Sequence, residues 1–465
     1  MSVLIVLAAL VFLMFVAYRG YSVILFAPVA AMGAVLLTDP TLVAPMFTGL
    51  FMEKMTGFLK LYFPVFLLGA VFGKVVELSG FSKSIVSSVI HLMGPRHAIF
   101  SIVTVCALLT YGGVSLFVVV FAVYPFAAEI FRQSGLPKRL IPATIALGAF
   151  TFTMDSLPGT PQIQNIIPIP FFKTNIYAAP WLGSMGAVFI LVIGLAYLHW
   201  RGRRATAAHE GYGINLLQEP EPFADDKLIS PFIAILPLIV VGVMNKVFNA
   251  VIPGLYGETH SFLPTLIGQM PPVTQEISKI AAIWAVEGAL LAGILTVFAF
   301  AWKPVIAKFA EGSKAAISGA LLAAMNTASE YGFGAVIAAL PGFLVVAAAL
   351  KSIPHPLINE AITVTSLAGI TGSASGGLSI ALAAMAETFL QGAQAAGIPP
   401  EVLHRVASMA SGGMDTLPHN GAVITLLTVT GLSHRQAYGD IFVITCIKTV
   451  AVFVVIGIYH FTGIV

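Results

Sequence analysis

Thr153-Met154-Asp155-Ser156-Leu157-Pro158 and Gly413-Met414-Asp415-Thr416-Leu417-Pro418 are two copies of one pattern, with their aspartates 260 residues apart. In each, a carboxylate leads through a hydroxyl and a leucine to a proline. Proline has no amide to donate and disfavours helix at the residue before it. Each copy therefore predicts a helix that stops at the motif and restarts beyond it, and Gly159 and Pro161 lengthen the first break. Other echoes lie upstream in the same order. Gly135-Leu136-Pro137 pairs with Gly397-Ile398-Pro399, 262 residues on. Gly112-Gly113-Val114-Ser115-Leu116 resembles Gly376-Gly377-Leu378-Ser379-Ile380, 264 on, and Glu77-Leu78-Ser79-Gly80-Phe81 resembles Glu330-Tyr331-Gly332-Phe333, 253 on. A nearly constant offset over four features indicates a duplication.

The surroundings of these motifs are apolar. Hydrophobic residues make up 58% of the 465 and charged ones 9%, against about 25% charged in an ordinary soluble chain. A crossing needs roughly 20 apolar residues for about 30 Å of hydrocarbon, and the apolar runs suffice for roughly ten to twelve by that rule. The expected fold is an all-α polytopic membrane protein. Among the expected spans are 281–301, 315–329 and 335–350, with 253–279 as an external loop or surface helix. The first run lacks the basic residue that opens a signal peptide, so it reads as a retained span. A net charge of +3 gives no reason to expect a nucleic-acid partner. Cys106 and Cys446 lie in apolar runs and read as packing residues.

Residues 1–200 form the first half, with a hairpin at about 110–135 and a broken helix at about 140–170. Residues 201–228 form a polar cytoplasmic linker that opens with Arg201, Arg203 and Arg204. Residues 229–465 form the second half, with a hairpin at about 365–395 and a broken helix at about 402–430. Arg132, Lys138 and Arg139 precede the first motif, whereas 391–404 holds no Lys or Arg; after the motifs the balance reverses, with Lys173 alone against His434 and Arg435. Basic loops stay in the cytoplasm, so the two copies are expected in opposite orientations. Inverted repeats with broken helices are the common plan of secondary transporters, with substrate held near the midplane.

A helix that restarts in the bilayer aims amides carrying roughly +0.5 charge into the cavity, a natural seat for a carboxylate. Ser156, Gly159, Thr160, Gln162 and Asn165 cluster at the first break, and Thr416, His419 and Asn420 at the second; their hydroxyls and amides suit a hydroxylated acid. Gly112, Gly113 and Ser115, and Ser373, Ser375 and Gly376, read either as re-entrant tips lining the site or as close helix contacts through small residues. Asp155, Asp415 and Glu330 are the candidates for proton coupling, because a carboxyl in the bilayer can bind and release a proton. The alternative for each is a cap or a partner for Lys, Arg or backbone. Glu330 gains from its acidic repeat partner Glu77; Glu287, Glu129 and Glu387 are weaker candidates. No phosphate-binding loop, zinc pair or nucleophile elbow occurs, since Ala374 stands where the elbow needs serine. Neither an enzyme nor a metal or other cofactor is expected.

The stretches Tyr111–Phe121, Ile141–Phe150, Leu157-Pro158-Gly159-Thr160-Pro161-Gln162-Ile163-Gln164-Asn165 and Asp415-Thr416-Leu417-Pro418-His419-Asn420-Gly421 resemble the gluconate permease (GntP) family of the ion transporter superfamily, and in particular its D-3-hydroxybutyrate permeases. The resemblance implies proton symport of gluconate, related sugar acids, D-serine or 3-hydroxybutyrate. It also implies an elevator-type scaffold and transport domain, a homodimer, and the inner membrane. Better-known carboxylate carriers of the superfamily have Ser-Asn-Thr at the breaks. Met154-Asp155-Ser156 and Met414-Asp415-Thr416 depart from that, which favours a proton over sodium. Sodium coupling and a passive channel are the rival readings.

Overall fold

The structure, a computed structural model, describes residues 2–19, 21–114, 116–214, 216–220, 228–262, 273–343, 345, 348, 353–418 and 420–465. Helices α1 (Ser2–Tyr18) and α2 (Val23–Thr38) expose Leu4, Leu25 and Leu37, as a helix bathed in lipid does. The short α3 (Val43–Met46) and a π turn over Phe47–Phe51 lead into α4 (Met52–Leu78). There follow α5 (Phe81–Met93), a hairpin of α6 (Ala98–Tyr111) and α7 (Leu116–Gln133), and the interrupted run α8 (Ile141–Ala149), α9 (Phe152–Asp155), α10 (Ile163–Ile166) and α11 (Ile169–Phe172). Helix α12 (Pro180–Ala207) closes the half.

After α13 (Pro231–Tyr256), the second half runs through β1 (Thr259–Phe262), β2 (Val273–Glu276) and α14 (Ile277–Ala339). It continues with a hairpin of α15 (Pro356–Thr371) and α16 (Ala374–Ala395), then α17 (Pro400–Gly412), a 3-10 turn over Gly413–Thr416, α18 (Gly421–Thr430) and α19 (His434–Thr462). Hairpin, broken helix and long helix thus recur in the same order. The counterparts α12 and α19 pack antiparallel: Gly186 lies against Val455, while Tyr197 and Arg201 reach Asp440.

Several expectations change. By length and composition five described segments can cross a bilayer, and a sixth if the pair Phe81–Met93 and Pro95–Tyr111, bent by 101°, is one span. The other described apolar runs fold as shorter helices, hairpin arms and half-helices, so the expected ten to twelve full crossings are not found among the described residues. The three expected spans after residue 281 begin instead as the single 63-residue α14, whose backbone leaves the helix at Ala301 (φ −137°, ψ 39°). Pro304, three residues on, cannot donate into the preceding turn, which accounts for the kink. The exposed Lys303, Lys308, Glu311 and Lys314 follow it. The expected loop or surface helix at 253–279 is partly the end of α13 and partly an antiparallel ribbon pairing Thr259 with Glu276 and Phe262 with Val273. The linker begins late, since α12 carries Arg201, Arg203 and Arg204 and runs on to Ala207.

Helix α4 and the second limb of α14 pack side by side, with the Phe58 and Tyr331 rings 5.6 Å apart. The Tyr62 hydroxyl donates to Ile167 O at 2.9 Å, joining α4 to the far end of the first broken helix.

Candidate functional site

Chain breaks inside a bilayer survive only where protein or water satisfies the freed backbone groups. Here each break is held by its own hairpin. Gln162, the residue before α10, donates from Nε2 to Thr110 O at 2.7 Å, and the Tyr111 hydroxyl donates to Pro158 O at 2.8 Å. In the second half Asn420, the N-cap of α18, donates from Nδ2 to Gly372 O at 2.9 Å and accepts from Ala422 N at 2.7 Å. One side-chain amide in each half thus ties the restarting half-helix to a hairpin tip. Gly113 (φ 95°) and Gly372 (φ 66°) make the tips, a conformation that side chains disfavour.

The two breaks also hold each other. Gln164 Nε2 donates to Asp415 Oδ2 at 2.8 Å, across the halves. Asp415 Oδ1 accepts from Ala374 N at 3.1 Å and from Asn420 Nδ2 at 3.3 Å. Asp155 has a different environment. Its Oδ2 lies 2.6 Å from Lys448 Nζ of α19, and both side chains are buried. Ser156 Oγ donates to Asp155 Oδ1 at 2.8 Å, and Lys448 also donates to Phe150 O at 3.0 Å. Gly412 brings α17 against this pair so closely that a Cβ there would overlap Asp155 Oδ2 and Lys448 Nζ.

Arg405, fully buried on α17, binds no carboxylate among the described residues. Its guanidinium donates to Asp155 O at 2.6 Å, Asn165 Oδ1 at 3.1 Å, Ala178 O at 2.8 Å and Ile176 O at 3.4 Å. A planar fork with five donors suits this set of acceptors. Asn165 completes the clamp, donating from Nδ2 to Thr160 O at 3.0 Å and Ile176 O at 2.9 Å, while His404 Nε2 lies 3.1 Å from Asn165 Oδ1.

The candidate residues therefore divide. Asp155, Ser156, Gly159, Thr160, Gln162 and Asn165 gather at the first break, where Asn165 is engaged wholly in holding the fold. A Cβ on Gly159 (φ 85°) would lie 2.8 Å from Tyr177 Cε1. Asp415 and Asn420 lie at the second break. Thr416 turns aside, its Oγ1 2.6 Å from Thr445 Oγ1. Ser115 and His419 lie outside the described residues. Gly112 abuts Leu238 of α13 rather than an opening. The tip of the second hairpin is Gly372–Ser373, with Ser373 Oγ capping Gly376 N at 3.1 Å. Gly376 and Gly377 lie in the first turn of α16 instead, where Gly377 gives room to Ala368, so the glycine pairs matched in sequence do different work. Ser375 and Gly376 face α14, with Thr327 and Glu330 opposite.

Glu77 is not the counterpart of Glu330 in contact. It pairs with Lys74 at 2.8 Å and is half-exposed, whereas Phe72 is the α4 residue that meets the first tip at Gly113. Glu129 pairs with Arg132 at 2.8 Å, and Glu387 accepts from Gln391 at 3.1 Å, both near the surface. The sequence reading missed Lys448, Arg405, His404 and Gln164. Lys448 and Arg405 carried a signal, since a lone charge inside an apolar run is costly and marks a site. Among the described residues no group of three or more His, Cys, Asp or Glu forms a metal cluster.

No family model matches the chain. It is 58% identical over 474 aligned residues to YxjC of Bacillus subtilis (strain 168), an uncharacterized transporter, with both chains covered in full. In fold it is similar to the crystal structure of the YdaH transporter of Alcanivorax borkumensis, with a TM-score of 0.50, 14% identity, and 92% of this chain and 90% of that one covered. At that identity the likeness concerns the fold alone. The chain therefore belongs to the family of YxjC, and is a multi-pass, all-α membrane transporter.

Proposed function

We propose that this transporter is a secondary symporter that couples proton entry to uptake of a small hydroxylated monocarboxylate such as 3-hydroxybutyrate or gluconate. The observation that carries the reading is the junction of the two breaks through Gln164 and Asp415, 2.8 Å apart, with a hairpin tip beside each. The half-helix α18, ten residues long, restarts at the second break and offers its amide end to a carboxylate. Thr110 Oγ1, Thr160 Oγ1 and Gln164 Oε1 are buried beside the first break with no hydrogen-bond partner among the described residues. Such atoms are usually paired, so they are suited to substrate hydroxyls. The antiparallel packing of α12 on α19 supports an inverted repeat, and the GntP resemblance supports a proton, an elevator motion, a homodimer and the inner membrane.

Purified protein in liposomes should accumulate labelled 3-hydroxybutyrate or gluconate when the lumen is alkaline, without sodium, and lose this with a protonophore. Uptake that needs sodium and ignores the protonophore would sink the proton reading in favour of sodium coupling. Equilibration without accumulation under either gradient would sink symport itself. Competition by D-serine would extend the substrate class to small polar acids at large.

A further inference from the structure

The second limb of α14 and the arm α16 run side by side. Thr327 Oγ1 is 3.2 Å from Ser375 Oγ. One turn further, Gly376 meets the Glu330 carboxylate so closely that a Cβ there would overlap it, and beyond that a Cβ on Gly334 would lie 2.8 Å from Ile380 Cα. Glu330 is 2% exposed. Its Oε2 and the buried Asn326 Oδ1, Ser329 Oγ and Ser379 Oγ have no hydrogen-bond partner among the described residues.

Among the described residues no cation reaches this carboxyl. On its own helix, Lys314 and Glu311 are exposed, more than four turns away; on α4 the charged residues Glu53, Lys54, Lys60, Lys74 and Glu77 lie at exposed or half-exposed positions; α13 offers Lys246 and α16 Glu387, both exposed. The nearer titratable groups are tyrosines: Tyr331 beside Phe58, and Tyr62, whose hydroxyl is bound to Ile167 O. Both aspartates, by contrast, are provided for as anions, Asp155 by Lys448 and Asp415 by three donors. An isolated carboxylate out of water is so costly that it takes up a proton instead.

Resting on the symport reading, we propose that Glu330, and neither aspartate, binds and releases the coupled proton, at a site completed by Asn326, Ser329, Ser375 and Ser379. Tip and site are mechanically one piece, since α16 starts at Ala374, whose amide holds Asp415. A tip that shifts when a carboxylate occupies the second break therefore shifts Gly376 and Ser379 over Glu330. With the carboxyl neutral, α16 lies flat on α14; with the proton gone, the carboxylate needs water, and the two helices part to admit it.

The test uses the full-length protein in lipid and no substrate. Infrared difference spectra taken as the pH is raised should show the carbonyl band of a protonated carboxyl disappear. That change should be absent in Glu330→Gln, moved in frequency in Glu330→Asp, and kept in Asp155→Asn. An unchanged band in both Glu330 variants overturns the proposal. So does a band that vanishes only in Glu360→Gln, because Glu360 on α15 is also buried without a hydrogen-bond partner among the described residues. In vesicles, with 3-hydroxybutyrate as probe, Glu330→Gln should lose pH-driven accumulation but keep exchange of internal for external substrate. Retained accumulation also overturns it. Wild-type vesicles that accumulate nothing would remove the symport reading, and the coupled role with it, while the infrared result would stand as a separate finding on where the proton sits.

Discussion

The two aspartate motifs are near-copies in sequence, and the structure gives them opposite neighbours. Asp155 meets a formal positive charge, Lys448, at 2.6 Å. Asp415 makes its hydrogen bonds to dipoles, a backbone amide and the side-chain amides of Gln164 and Asn420, and feels the Lys448 charge without contact. Neither support comes from the duplicated pattern. Lys448 and Gln164 each reach across from the other half, so each half finishes its partner's carboxylate. The lesson is that two breaks alike in sequence are finished by different distant residues, one as an ion pair and the other as a hydrogen-bonded anion. With Arg405 added, two cations and two anions are buried together.

The sharpest way to break this contrast is to remove the lysine. Lys448→Met leaves Asp155 buried and unpaired and should cost about 3–5 kcal/mol, read as a fall in the thermal unfolding temperature in detergent. Adding Asp155→Asn should recover most of the loss, because the stranded charge is gone. A single variant as stable as the parent would show that the pair is not what holds α19 to the break. Next in size, Arg405→Lys keeps the charge but not the fork; leaving carbonyls such as Asp155 O and Ala178 O unfilled should cost about 3 kcal/mol, at roughly 1–3 for each lost buried bond. A melt unchanged by this variant would demote the clamp.

Asp415→Asn should cost less, about 1–3 kcal/mol, since an amide oxygen still accepts two of the three bonds. If it proves as damaging as Lys448→Met, the two aspartates are not different in kind. The smallest effect belongs to the loop after α12, outside the membrane. There the hydrogen bond from Arg139 to Glu210 holds the glutamate below its ordinary value. A depressed acid stabilises above its unfolded value and loses that contribution as pH falls through the folded one. Glu210→Gln should therefore cost less than about 1 kcal/mol at neutral pH, with the difference from the parent vanishing in acid. A gap that persists in acid would mean that packing, not charge, is responsible.

Much of this architecture is visible in the chain because backbone punctuation is local. Pro158 and Pro418 each stand at a helix break, although Pro64 and Pro125 lie inside continuous helices, and Gly-Leu-Pro and Gly-Ile-Pro end the hairpins as well as the matched segments. What lies in contacts between distant segments is not visible. Nothing near Asp155 announces Lys448, 293 positions later. Matching Glu77 with Glu330 followed letters; in the structure Glu77 is half-exposed and paired with Lys74, while Glu330 is buried against Gly376. Length was also misleading, since an apolar run of 14–18 residues serves equally as a hairpin arm or a crossing, as α6 and α7 illustrate.

The missing side chain of Gly412 has a further result for how the centre meets its medium. With α17 pressed onto Asp155 and Lys448, dissolved ions have no route between the two charges, and screening over the roughly 8 Å Debye length of physiological saline stops at the protein's edge. Raising ionic strength should leave this attraction at full force while it weakens the loop pair of Arg139 with Glu210, so a salt titration separates the interior electrostatics from those of the rim.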